Sequence, residues 1–133
     1  MRKQVIGVVL SAVLAMPAAQ AGWEKVGTND AGDHTAYVDR GTKQANGSVV
    51  RIWEMTDLSG TATLLPGMHY RSSKTHNEYN CKTRVTRYRT IVFYAGNMGT
   101  GAVVHSSDIP GNWQDIVPDS ADEHKWRIVC RTK

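Results

Sequence analysis

Two cysteines, Cys81 and Cys130, constrain this chain most, because they follow a segment built for export. Met1–Ala21 reads as a secretory signal peptide. Arg2 and Lys3 give a positive start, Val5–Met16 is an apolar stretch, and Ala19-Gln20-Ala21 is a small-x-small cleavage site. The apolar stretch is shorter than the roughly 20 residues a bilayer span needs; a buried first helix is the alternative reading. An exported chain meets an oxidising compartment, where a cysteine pair usually closes. Two cysteines admit a single intramolecular pairing. The ring of about 50 residues would contribute about 4 kcal/mol by restricting the unfolded chain. A catalytic thiol and an intermolecular bridge are the alternatives. Neither cysteine sits in a C-x-x-C or beside a paired histidine, which argues against a metal site.

Cleavage would leave Gly22–Lys133, 112 residues of the 133, enough for one domain with one modest core. With 41% hydrophobic and 21% charged residues, the chain is not disordered throughout. Its 16 Lys+Arg against 12 Asp+Glu fall to 14 against 12 once Arg2 and Lys3 are removed. So small a surplus, with no recognised reader motif, argues against nucleic acid as partner. No second stretch is apolar enough for a membrane span. No cysteine follows the apolar run, so no lipid anchor is expected. The expected location is the periplasm, the cell surface or the exterior.

The remainder reads mostly as strands. Trp23–Gly27 is a short apolar start, and His34–Asp39 alternates weakly. Asn46-Gly47 signals a type I′ hairpin turn, whose two central residues need positive φ; the Asn46-Gly47-Ser48 sequon match is read as this turn. Ser48–Leu58 follows, rich in β-branched and aromatic residues. Ser59–Pro66 reads as a loop, and Met68–Asn80 and Cys81–Tyr94 as strands. The last is the clearest, with charges interleaved among Thr, Val, Ile, Tyr and Phe. Gly96–Gly101 is a turn into Ala102–Ser107, another strand. It lacks the G-K-[ST] ending of a phosphate loop. Short strands separated by turn signals point to an antiparallel sheet.

One helix is marked near the end of the chain. Ser120 suits the N-cap and Glu123 its capping-box partner, with Asp119 and Asp122 at the positive helix start. Trp126, Val129 and Cys130 share a face. So short a helix needs the sheet to be stable, and Cys130 would fix it to the strand that begins at Cys81. Trp23, Trp53, Trp113 and Trp126 supply much of the core available to a small domain. The strand around Trp53 is apolar on both faces: Val49, Trp53 and Met55 alternate with Val50 and Ile52. A sheet covered by one helix keeps one face wet. A second cover is therefore expected, either a partner subunit or the Ser59–Met68 loop.

The chemistry concentrates on basic residues. Strict alternation from Cys81 puts Lys82 and Arg84 on one face and Arg87 and Arg89 on the other. Arg51 and Arg71 could join a patch, with Tyr88 and Tyr94 interleaved. Arg51, Arg84, Arg87, Tyr88 and Arg89 are the candidate binding residues, for an acidic partner; a solvated face that keeps sheet edges from aggregating is the alternative. None of the five histidines forms an H-x-H or H-x-x-x-H pair. No serine sits in a nucleophile elbow. No catalytic residue, metal or cofactor is therefore expected.

The order of Trp23, Tyr37-Val38-Asp39, Ile52-Trp53, Tyr70, Ser72, Lys74, Glu78-Tyr79-Asn80-Cys81, Arg84 and Arg87 is distinctive. So is the tail Trp113-x-x-Ile116-x-Pro118-x-Ser120 ending in Trp126-x-x-x-Cys130. Together they resemble the surface-adhesin E (Protein E-like) family of Gram-negative bacteria, over essentially all of Gly22–Lys133. The resemblance implies an α+β, mainly β fold. It would be a single antiparallel sheet of five to six strands, with one short C-terminal helix tied to it by a Cys81–Cys130 disulfide. It implies a non-enzymatic exported binding protein whose partners are host extracellular-matrix or serum proteins, with a homodimer as an expectation. The family's namesake is lipid-anchored, and this chain lacks the cysteine for that. A periplasmic envelope or inhibitor-type protein is the alternative function, and a small secreted hydrolase a third.

Overall fold

The structure, a computed structural model, describes residues 22–131. Met1–Ala21, the segment read as a signal peptide, lies outside them. Seven strands and one helix follow in chain order: β1 (Trp23–Thr28), β2 (His34–Asn46), β3 (Val49–Leu65), β4 (Met68–Asn80), β5 (Val85–Tyr94), β6 (Val103–Ser107), β7 (Gln114–Asp115) and α1 (Ala121–Val129). They form one antiparallel sheet in the order β1-β2-β3-β4-β5-β6, with β7 paired to β5 beyond the β6 segment. From β1 to β6 each strand lies beside its sequence neighbour, as hairpin connections dictate; β7 alone skips one strand back.

Several boundaries differ from those the sequence implies. The β2–β3 hairpin turns on Gly47-Ser48, because Asn46 pairs with Val49. Of the two central residues only Gly47 has positive φ, 61°, the pattern of a type II′ turn. Ser59–Leu65 is not a loop. Turn-forming residues there are absorbed by irregular registers between Asp57 and Ala62, and β3 runs on to Leu65. Cys81–Arg84 is a turn rather than the start of β5, with Asn80 accepting from the backbone of Lys82, Thr83 and Arg84. Arg84 is left-handed, φ 58°. Strand alternation therefore does not apply to Lys82 and Arg84.

The helix begins as its sequence dictates. Ser120 Oγ accepts from Glu123 N–H at 3.2 Å. The Glu123 carboxylate reaches back to Asp119 N–H, one residue before the cap. The helix covers one face of the sheet. Val38, Val50, Ile52 and Tyr79 from the strands meet Ile116 and Val129, with Trp126 packed alongside. The Cys81–Cys130 disulfide closes at a Cα–Cα distance of 5.6 Å, joining the turn after β4 to the helix end.

The opposite face carries Met55, 1% exposed, and its cover comes from Gly96–Gly101. This segment folds back as a 3₁₀ turn. Asn97 and Met98 N–H donate to Asp57, and Gly99 N–H donates to Ser72 Oγ. Glycine suits position 99 because its φ is 70°, and a Cβ would also lie 2.4 Å from Lys74 Cε. Ser59–Met68, one of the two covers expected beside a partner subunit, instead extends the β3–β4 hairpin.

Candidate functional site

The open face is built by side chains that share a register. Trp23, Asp39, Trp53 and His76 stand opposite one another across β1 to β4. Arg51, Glu78 and Arg87 do the same across β3 to β5. A bulge between His76 and Asn77 leaves Arg89 as an extra residue on β5 and turns it toward the same place.

Three arginines thereby converge on one carboxylate. Glu78 accepts from Arg87 Nε at 2.9 Å, Arg51 Nε at 3.1 Å and Arg89 Nη1 at 3.3 Å. The Glu78 side chain is 3% exposed, whereas Arg87, Arg89 and Arg51 are 26%, 35% and 43% exposed. Burial pushes the Glu78 carboxyl up. Hydrogen bonds from Arg87 and Arg51, together with their charges, outweigh that and hold it below the usual carboxylate range. One negative charge thus organises three positive ones, and the surplus faces solvent.

Aromatic rings extend this cluster in both directions. Trp113, from the loop before β7, lies over the Arg87 guanidinium at 4.5 Å, and both line a groove of about 470 Å³ with Val49 and Arg51. Toward the 3₁₀ turn, Trp53 stacks on His76 at 4.8 Å. Burial, with the charges of Arg51 and Arg89, lowers the His76 pKa and keeps the ring neutral. Beyond it Lys74 Nζ sits 5.6 Å from the Trp23 ring and 5.2 Å from the Tyr94 ring. Lys74 and Glu78 are four residues apart on β4, so the two cationic centres are roughly 13 Å apart.

Of the five candidate residues, Arg51, Arg87 and Arg89 come together here. Arg84 does not. It lies over Trp126 at 4.6 Å and pairs with Glu123, which also accepts from Arg127 at 3.0 Å, so it clamps the helix. Hydrogen bonding to Asp119 N–H, then the charges of Arg127 and Arg84, overcome desolvation and hold Glu123 below the ordinary carboxylate range. Tyr88 pairs with Asn77 and lies on the helix side of the sheet. Arg71 has a buried Nε with no hydrogen-bond partner and does not join the cluster. Glu78, the residue that gathers the arginines, is not among the residues sequence reasoning selects. Its signal is register: only the pairing of β3, β4 and β5 sets it between Arg51 and Arg87.

The helix-covered face has its own buried carboxylate, Glu54. Tyr79 Oη donates to it, and Lys125 Nζ lies 3.0 Å away, with Asp122 at 3.4 Å from the same ammonium. Burial lowers the Lys125 pKa, but Glu54 and Asp122 more than reverse this and keep it charged. Burial and the neighbouring Glu54 raise the Tyr79 phenol far above its usual range. Within it the buried Glu54 and Lys125 charges cancel, while Asp122, 51% exposed, lies at the rim. Among the described residues no set of three His, Cys, Asp or Glu is placed to hold a metal ion. No helix among them is long and apolar enough to cross a membrane.

The fold has close counterparts of distant sequence. Crystal form II of Haemophilus influenzae protein E superposes with a TM-score of 0.65 at 16% identity, over 83% of this chain and 87% of that one. Protein E from non-typeable Haemophilus influenzae gives 0.63 at 16% identity, over 83% and 76%. At that identity the likeness speaks to fold alone. No curated protein matches the sequence as a relative. The family described as surface-adhesin protein E matches residues 23–131, nearly the whole described chain. This chain belongs to the surface-adhesin protein E family.

Proposed function

We propose that this protein is an exported, non-enzymatic binding module that captures an acidic segment of another protein on the open face of its sheet, with host matrix and serum proteins as the partner class. The observation that carries this is the Glu78 cluster: three arginines, each a quarter to nearly half exposed, around one buried carboxylate. A core ion pair would be balanced, as Glu54 and Lys125 are. An unbalanced cationic cluster flanked by tryptophans offers both steering charge and desolvated anchors. Family membership supports an adhesive role and a location at or beyond the cell surface. A homodimer remains part of this reading, since the same exposed face could pair with a second copy.

The test uses Arg89→Gln. Arg89 is the most distant of the three donors, so Glu78 keeps Arg51 and Arg87. Reversing Arg87 and Arg89 together would surround Glu78 with like charge and disturb the fold. Binding is measured on an array of purified matrix and serum proteins, beside an envelope extract of the bacterium. A partner lost about tenfold by Arg89→Gln, and weakened by added salt, supports the reading. Capture unchanged in the variant, or turnover of a substrate, overturns it.

A further inference from the structure

The helix covers only part of its face of the sheet. Nine residues give a helix about 13 Å long, against roughly 24 Å for six strands. The uncovered part is a cleft of about 620 Å³, between the first turns of α1 and the loop before β7. That volume lies within the roughly 300–1,000 Å³ typical of ligand sites.

The floor of the cleft is polar and uncharged. Thr56 pairs with Ser73, Thr75 with Ile91, and Asn77 with Tyr88 across β3 to β5. Thr86 commits its hydroxyl to the Glu78 carbonyl at 2.9 Å. No side-chain hydrogen bond within the described residues engages Thr56, Ser73 or Thr75, so those hydroxyls face the open space. Tyr88 forms one wall and is 47% exposed. Gly111 holds its ring from behind: Gly111 N–H donates to the Tyr88 carbonyl at 2.9 Å, and a Cβ on Gly111 would lie 2.8 Å from the ring. The other wall is Lys125 with Asp122, whose charges meet each other and Glu54. Arg87 touches the cleft, but its guanidinium is turned to Glu78 on the opposite face.

We propose that this cleft is a second binding site, distinct from the arginine face, that takes a neutral oligosaccharide. One pyranose ring lies against the free side of Tyr88, and its hydroxyls bond to Thr75, Asn77 and the Asn112–Gln114 wall. The chemistry selects the class. A row of uncommitted hydroxyls with amides beside it matches a polyol, a fixed half-exposed aromatic ring suits the apolar face of a sugar, and the cleft walls carry no surplus positive charge to select an anion.

The experiment follows backbone amide shifts of the full mature protein on titration with maltotriose, triacetylchitotriose and globotriose, with 3′-sialyllactose as the acidic control. At least one neutral probe at millimolar concentration should shift Thr75, Asn77, Tyr88 and Asn112 together. Tyr88→Leu should weaken it at least tenfold. Thr75→Val, which keeps the shape and removes only the hydroxyl, should weaken it about fivefold and covers the case in which Tyr88→Leu misfolds. Arg89→Gln should bind as the parent does. The inference is overturned if no neutral probe binds, if shifts fall outside the cleft, if only the acidic probe binds, or if Thr75→Val binds unchanged.

Discussion

The two faces of the sheet each bury one glutamate, and they treat it differently. Glu54, under the helix, meets a tyrosine and a lysine that is itself 18% exposed. Glu78, on the open face, meets three arginines that remain substantially in water. A carboxylate with buried, matched partners is part of the core. Its charges cancel, and removing either partner leaves the other stranded in low dielectric. A carboxylate with exposed, surplus partners holds long side chains in fixed positions, so that a ligand need not order them on arrival. The same residue type thus serves stability on one side and, in the function proposed above, recognition on the other.

This contrast can be broken at several points. The largest effect should come from the disulfide, which serves the covered face alone. Cys81→Ser with Cys130→Ser should cost about 4 kcal/mol in urea unfolding, while partner capture by the folded fraction stays within twofold. A loss of capture in folded protein would show that the open face depends on the helix. Next, Glu54→Leu should cost about 3 kcal/mol, since Lys125 and the Tyr79 hydroxyl lose their acceptor. It should leave capture unchanged.

Glu78→Gln should cost less, about 1 kcal/mol, because its partners are partly solvated, yet capture should change more than in Glu54→Leu. Acid separates the two further. The folded-state pKa of Glu78 is depressed, so its contribution is full above the ordinary value of 4.5 and is lost as pH falls through the lower folded value. The acid limb of a stability profile should therefore flatten in Glu78→Gln. His76 behaves likewise at higher pH. Its folded pKa lies below 6.5, so its contribution is full above 6.5 and fades as pH drops through the folded value. Arg89→Gln should move the His76 titration, followed by NMR, back toward 6.5. The smallest effect is Trp113→Ala, which uncovers Arg87. It should cost about 0.5–1 kcal/mol and weaken capture by a few-fold.

Much of this was legible in the residues. Ser120 and Glu123 mark the helix start because capping is local. The cysteine pair closes as two cysteines in an exported chain imply. Asn46-Gly47 announces a hairpin but misplaces its turn by one residue, since either Asn46 or Ser48 can flank Gly47 and cross-strand pairing decides between them. Ser59 to Pro66 carries turn residues, yet β3 only bulges there and resumes its pairing with β4 at Ala62, a tertiary effect that composition does not report. Within the site, alternation places Arg87 and Arg89 on one side correctly. It cannot place Arg84, which a left-handed turn removes from the strand. Glu78 stands out only as a mark of the family resemblance; its role is hidden because nothing in its neighbours reveals three arginines drawn from strands up to 27 residues away.

The chain order of the sheet has a consequence for how the molecule matures. Strands β1 to β6 each dock on the one made just before or after them, so most of the framework can zip up progressively from local contacts as the polypeptide emerges. The terminal helix arrives last, and the bond at its end needs an oxidant that the cytoplasm withholds. Completion of the fold is thereby gated by compartment: the covered face is locked only where the surroundings are oxidising.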